Sequence, residues 1–169
     1  MWFVEGCMVV SIGYPIGITK TDEGYYYTIE TKNKYIHLSY EELQVWTQVD
    51  ESYIPQTKND LKMIQRLESV GVLLPANTKK EMLMALLTHC YIRQGFGMIN
   101  SNGDCVHLGD KVINLSKKQM ILWQMGNGKN SIDQTIGACL MRKMTSKENI
   151  LSMFDDILFL LNNELIYII

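Results

Sequence analysis

Cys105 and His107, two apart, would share one face of a strand, and the adjacent His89-Cys90 supplies a second thiol and imidazole. Together they hold the donor types of a zinc tetrad, but zinc sites favour tight pairs of ligands on turns, so no metal is expected. Gly128-Lys129-Asn130-Ser131 has the tail of a phosphate-binding loop without its earlier glycine or a buried strand before it, and reads instead as a helix C-cap followed by an N-cap. Asp155 and Asp156 are neighbours and so point to different sides of a helix, which makes a solvated edge of them rather than an acid/base pair. His37, His89 and His107 fall in different elements, and neither G-x-S-x-G nor H-E-x-x-H occurs. No catalysis and no cofactor are therefore expected. One basic row remains: Lys58, Lys62 and Arg66, at i, i+4 and i+8, would face a polyanion together.

The elements that carry these residues come from a repeat. Ile36-His37-Leu38-Ser39-Tyr40-Glu41-Glu42-Leu43-Gln44-Val45-Trp46 recurs 77 residues later as Ile113-Asn114-Leu115-Ser116-Lys117-Lys118-Gln119-Met120-Ile121-Leu122-Trp123. Each copy reads as a strand end, a capping box (Ser39 with Glu42, Ser116 with Gln119) and a helix whose tryptophan lies on the apolar side, where it belongs to the core.

The chain has 169 residues, 47% of them apolar, enough for two small domains. Net charge is −2, made of −4 over residues 1–76, +2 over 77–93 and zero over 94–169, so neither copy carries the overall basic excess of a nucleic-acid binder. Four scattered cysteines without a C-x-x-C suit buried thiols in a reducing compartment. The apolar opening, Met1 to Val10, has no Lys or Arg before it and contains Glu5, unlike a signal peptide. No uncharged run reaches the length of a membrane span, and a cytoplasmic protein is expected.

In chain order, residues 2–12 read as an extended arm or extra strand that pairs either within the chain or with a second copy in a homodimer. Residues 16–20, 25–31 and 34–38 form a meander with a turn at Asp22-Glu23-Gly24. A helix over 40–49 follows, then Asp50 to Pro55 with room for one helical turn, a helix from about Thr57 stopped by Gly71, and a strand ended by Pro75. Thr78 and Glu81 open a helix through about Tyr91 that is apolar on all sides at first, and so is expected to be buried between the copies. The second meander opens at 97–99 and turns at Ser101-Asn102-Gly103. After its first helix come a helix capped by Ser131, a helix capped by Thr145 and Glu148 with Ile150, Phe154, Ile157, Leu158 and Leu161 on one stripe, and a strand at 165–169.

The expectation is an α+β protein of two tandem winged-helix-like domains: 1–76 with the N-terminal arm, a linking helix at 77–93, and 94–169. The last helix of the second copy, with Lys147 against Glu148, Asp155 and Asp156, is too acidic to recognise DNA, which leaves Lys58, Lys62 and Arg66 as the DNA-facing alternative.

Residues 104–168 resemble the PqqD-like winged-helix family, also called RiPP recognition elements. The motifs are Val112-Ile113-Asn114-Leu115-Ser116, Ile121-Leu122-Trp123-Gln124-Met125-Gly126-Asn127-Gly128, Ser131-Ile132-Asp133-Gln134-Thr135-Ile136, and Phe154-Asp155-Asp156-Ile157-Leu158-Phe159-Leu160-Leu161. The family shows a strand ending "LN", a helix closing on "DG", a "T-x-x-E-I"-like segment and a "D-V-x-x-F-L" helix; here Asn114-Leu115 reverses the first and Asn127 replaces the acidic residue. The resemblance implies a module that does no chemistry and binds a peptide or protein partner as an added strand. It places that strand beside Lys111, Val112, Ile113 and Asn114, in a groove with Met153, Phe154 and Ile157. In the first copy the counterparts are 35–37 with Leu61 and Ile64.

Overall fold

The computed structural model describes residues 8–22, 24–49, 57–99 and 103–169. They form an α+β protein of small antiparallel sheets and helices, divided into two compact units: residues 1–82 with Ile169, and residues 83–168. The division falls between Met82 and Leu83, inside the stretch expected to link the two copies.

The first unit runs β1 (Met8–Ser11), β2 (Tyr14–Thr21), β3 (Gly24–Glu30), β4 (Tyr35–Leu38), α1 (Tyr40–Gln48), α2 (Lys58–Ser69) and β5 (Leu73–Ala76). β2, β3 and β4 are the expected meander. The described part of the N-terminal arm is β1, which pairs with β5, and Val9, Val10 and Ile12 are buried. Those residues therefore belong to the core of this chain's own fold; residues 1–7 lie outside the described set, as do Glu23, 50–56 and 100–102. β5 continues through Pro75, which a two-stranded sheet tolerates because each strand is an edge.

α3 (Lys79–Leu86) is shorter than the sequence pattern suggests. Thr78 Oγ1 accepts the Glu81 amide at 3.1 Å, while the Glu81 carboxylate takes the Asn77 amide at 3.0 Å. Met82, Leu83 and Leu86 are buried but Met84 is 60% exposed, so the helix has an open face and is not buried all round. The chain then turns, and Cys90–Arg93 is strand β6, where the helix was expected to continue.

The second unit continues with β7 (Phe96–Met98), β8 (Asp104–Leu108), β9 (Lys111–Leu115), α4 (Lys117–Met125), β10 (Asn127–Ser131), α5 (Ile132–Met141), α6 (Ile150–Asn162) and β11 (Ile166–Ile168). β6 pairs with β10 on one side and β11 on the other, and β7, β8 and β9 form a second meander. The Thr145 capping box does not form. Residues 147–149 make a 3₁₀ turn, Thr145 Oγ1 approaches the carbonyls of Ser146 and Asn149, and the Ser146 hydroxyl binds the Glu148 carboxylate and holds its pKa below the usual range.

The duplication extends well beyond the sequence match. In each unit the first strand pairs with the last, and the meander and first helix lie between them. Within the meanders Ile29 opposes Pro15 and Ile36, as Val106 opposes Gly97 and Ile113. Trp46 donates its indole N–H to the Ile12 carbonyl at 3.2 Å, and Trp123 donates to Gln94 at 2.9 Å; Ile12 and Gln94 each follow the first strand. Those same residues donate their amides to Val72 and Leu165, each just before the last strand. The helix before that strand ends alike in both copies. Gly71 and Glu164 are left-handed, and Val72 and Leu165 donate back five residues to Leu67 and Leu160, the Schellman pattern.

A capping residue also ties the helices together in each unit. Glu42 accepts the Ser39 amide with one oxygen and pairs with Arg66 of α2 through the other at 2.9 Å. Gln119 accepts the Ser116 amide and donates to Asp156 of α6 at 3.1 Å, where Lys118 also pairs at 3.0 Å. Asp156 is thus a structural acceptor.

The C-terminal carbonyls of α4 lack intrahelical partners and are met from β6. The buried Tyr91 hydroxyl donates to Leu122 at 2.8 Å and Arg93 donates to Gln124 at 3.0 Å. Burial raises the Tyr91 phenol well above its ordinary pKa. The folded value exceeds the unfolded one, so the contribution is whole below the unfolded pKa of about 10 and is lost as pH rises past it. Tyr91→Phe is expected to cost about 1–2 kcal/mol at neutral pH and to weaken the loss of stability at alkaline pH, measured by urea titration at both.

Candidate functional site

β9 is an edge strand: β8 pairs with one side of it, and no strand among the described residues pairs with the other. The β8–β9 turn has two residues, Gly109 and Asp110, with Gly109 at φ +58, as a tight hairpin requires. The closing pair of such a hairpin, Leu108 and Lys111, exchanges both backbone bonds, and pairs alternate from there. Val112 and Asn114 therefore turn their N–H and C=O groups outward, available to another strand.

Beside this edge lies an open cleft of about 400 Å³ lined by Lys111, Val112, Ile113, Asn162, Asn163 and Glu164. Its far wall is the end of α6, fixed by the left-handed turn at Glu164. Lys111 Nζ and the Glu164 carboxylate stand 3.7 Å apart across it, with both side chains more than half exposed. An ion pair so solvated contributes under about 1 kcal/mol and would resist an entering chain only weakly.

The structure brings Lys111, Val112, Ile113 and Asn114 together on this edge, with Val112 54% exposed. It does not bring Met153, Phe154 or Ile157 to the surface: all three are fully buried. These groove residues are corrected to core, because the apolar stripe of a helix marks the side packed inward. The α6 residues that do border the cleft, Asn162 and the following Asn163 and Glu164, carried no apolar signal and were missed.

The first unit presents the same edge. Thr31 donates its amide to Lys34 at 2.9 Å, and the alternation from that pair turns Tyr35 and His37 outward on β4. Tyr35 is 61% exposed, while His37 Nδ1 is held 3.1 Å from the Thr28 hydroxyl. Lys34, the counterpart of Lys111, reaches to about 4.0 Å from the position of a Cβ on Gly71, the counterpart of Glu164. Ile64 is buried and Leu61 half-buried, so Ile64 too is core.

Of the basic row on α2, Lys58 and Lys62 are exposed, whereas Arg66 is engaged by Glu42. α6 itself carries Asp155 and Asp156 and no cation, Lys147 and Glu148 lying in the 3₁₀ turn before it. Gly128-Lys129-Asn130-Ser131, the phosphate-loop-like stretch, falls in the bulged strand β10, with Asn127 Oδ1 accepting the Lys129 and Asn130 amides. Among the described residues no group of three or more His, Cys, Asp or Glu side chains could hold a metal ion, and no helix is long and apolar enough to cross a membrane.

No family model, no curated protein and no solved structure matches the chain.

Proposed function

We propose that this is a non-enzymatic protein that binds an extended segment of a peptide or protein partner, as PqqD-like winged-helix modules do, through the free edge of β9. The observation that carries this reading is the outward backbone of Val112 and Asn114 beside the cleft at the end of α6. Main-chain bonds to an added strand give affinity with little demand on side chains, and the cleft receives the alternate side chains. The reading places such a module in the cytoplasm, with β4 as the matching edge of the first unit.

An array of overlapping peptides from the proteins encoded beside this one tests it, read by fluorescence anisotropy. Val112→Pro removes the outward N–H at an edge position where proline is tolerated, so the fold should survive and affinity should fall by about tenfold or more. Binding that ignores this substitution would refute the site.

Lys58 and Lys62, four apart and exposed on α2, support a second reading as a DNA-binding regulator. A salt-dependent gel shift lost in Lys58→Ala with Lys62→Ala, together with silence on the peptide array, would favour it.

A further inference from the structure

The β7–β8–β9 sheet has two unlike faces. Val106 and Leu115 are buried on one. On the other, strand register sets Met98 opposite Cys105 and Phe96 opposite His107, with Asn114 and Val112 continuing the two rows on β9. Phe96, Met98 and Val112 are exposed there, while Cys105 is 9% exposed. The Cys105 thiol and His107 Nε2 stand 3.8 Å apart.

The geometry points to a cuprous-ion site formed by Cys105, His107 and Met98. Bonds of about 2.3 Å to a thiolate and about 2.0 Å to an imidazole, opened to about 120°, put sulfur and nitrogen about 3.7 Å apart. The observed separation lets one ion sit between the two donors without moving the strand. Directly opposed residues of an antiparallel pair have Cβ atoms about 4.5–5.5 Å apart, which puts the long, partly exposed Met98 side chain within reach as a third ligand. Zinc and harder ions would lack their remaining ligands, given the His, Cys, Asp and Glu residues described. Thiolate, thioether and imidazole are the ligands that select Cu(I). Exposed Phe96 and Val112 flank the trio with apolar surface. On binding, Cys105 gives its proton to solvent and His107 coordinates through Nε2 with its proton on Nδ1. Copper enters and stays as Cu(I), so no oxidant or reductant is consumed. The site lies on the face of the sheet whose β9 edge the peptide reading uses, and its three ligands do not depend on that reading.

Anaerobic titration of the reduced, full-length protein with Cu(I) against the chromogenic chelator bicinchoninate tests it. One ion per chain should be withheld from the chelator. Cys105→Ala and His107→Ala should each abolish that competition, and Met98→Leu, at an exposed position, should weaken it about tenfold. The Met98 methyl resonance should shift on adding Ag(I), a redox-inert stand-in, with every variant checked for an unchanged thermal midpoint. Equal competition by wild type, His107→Ala and Met98→Leu would overturn the site, assigning the metal to other thiols and leaving Cys105 and His107 as a thiol–imidazole hydrogen bond.

Discussion

Gly95→Ala is expected to cost about 2–6 kcal/mol, a large share of the roughly 5–15 kcal/mol that holds a domain folded. Gly95 sits at φ +81, and a methyl there would stand 2.5 Å from the His107 carbonyl oxygen and 2.8 Å from Val106. Backbone strain contributes about 1–3 kcal/mol and overpacking a similar amount. Gly109→Ala is the control: it is also left-handed, at φ +58, but a methyl there meets nothing within 4 Å, so only the strain of about 1 kcal/mol or somewhat more remains. Gly13 occupies the matching position of the first unit, at φ +113 and pressed against Ile29, so Gly13→Ala should be comparably severe. Urea titration of the three variants checks both the order and the symmetry; equal midpoints for Gly95→Ala and Gly109→Ala would contradict the close approach.

Phe154→Ala should cost about 3–5 kcal/mol, the range for truncating a fully buried phenylalanine. A groove-lining aromatic would instead lose little stability and much binding. Thermal unfolding of the variant, read with peptide affinity measured below its midpoint, separates the two. A drop in stability with unchanged affinity is the expected result, and unchanged stability with lost affinity would restore Phe154 to the groove.

That correction shows where the sequence was legible. The 77-residue repeat, its capping serines and its tryptophans were local signals, and both meanders and both first helices stand where those signals put them. The stripe on α6 was also read correctly as a stripe, but periodicity reports which side is apolar and not which surface is left uncovered. Cys90–Arg93 reads as helix in the sequence because an apolar run following a capped start looks helical until long-range pairing with β11 decides it. β10 is all polar and pairs only near its ends, so no pattern announced it. Gly95 and Gly13 are 82 apart while the motifs repeat at 77, a difference hidden by the longer β2–β3 hairpin of the first unit. The candidate edge was half legible: Lys111 to Asn114 came from the resemblance, and the asparagines across the cleft came only with the turn that ends α6.

The most direct test is amide hydrogen exchange by NMR, with the tightest peptide from the array bound. The Val112 and Asn114 amides, open to water in the free protein, should slow by about tenfold or more, while their inward-bonded neighbours Ile113 and Leu115 change little. Saturating peptide that leaves Val112 and Asn114 exchanging at their free rate, with protection appearing elsewhere in the chain, would contradict strand addition at β9.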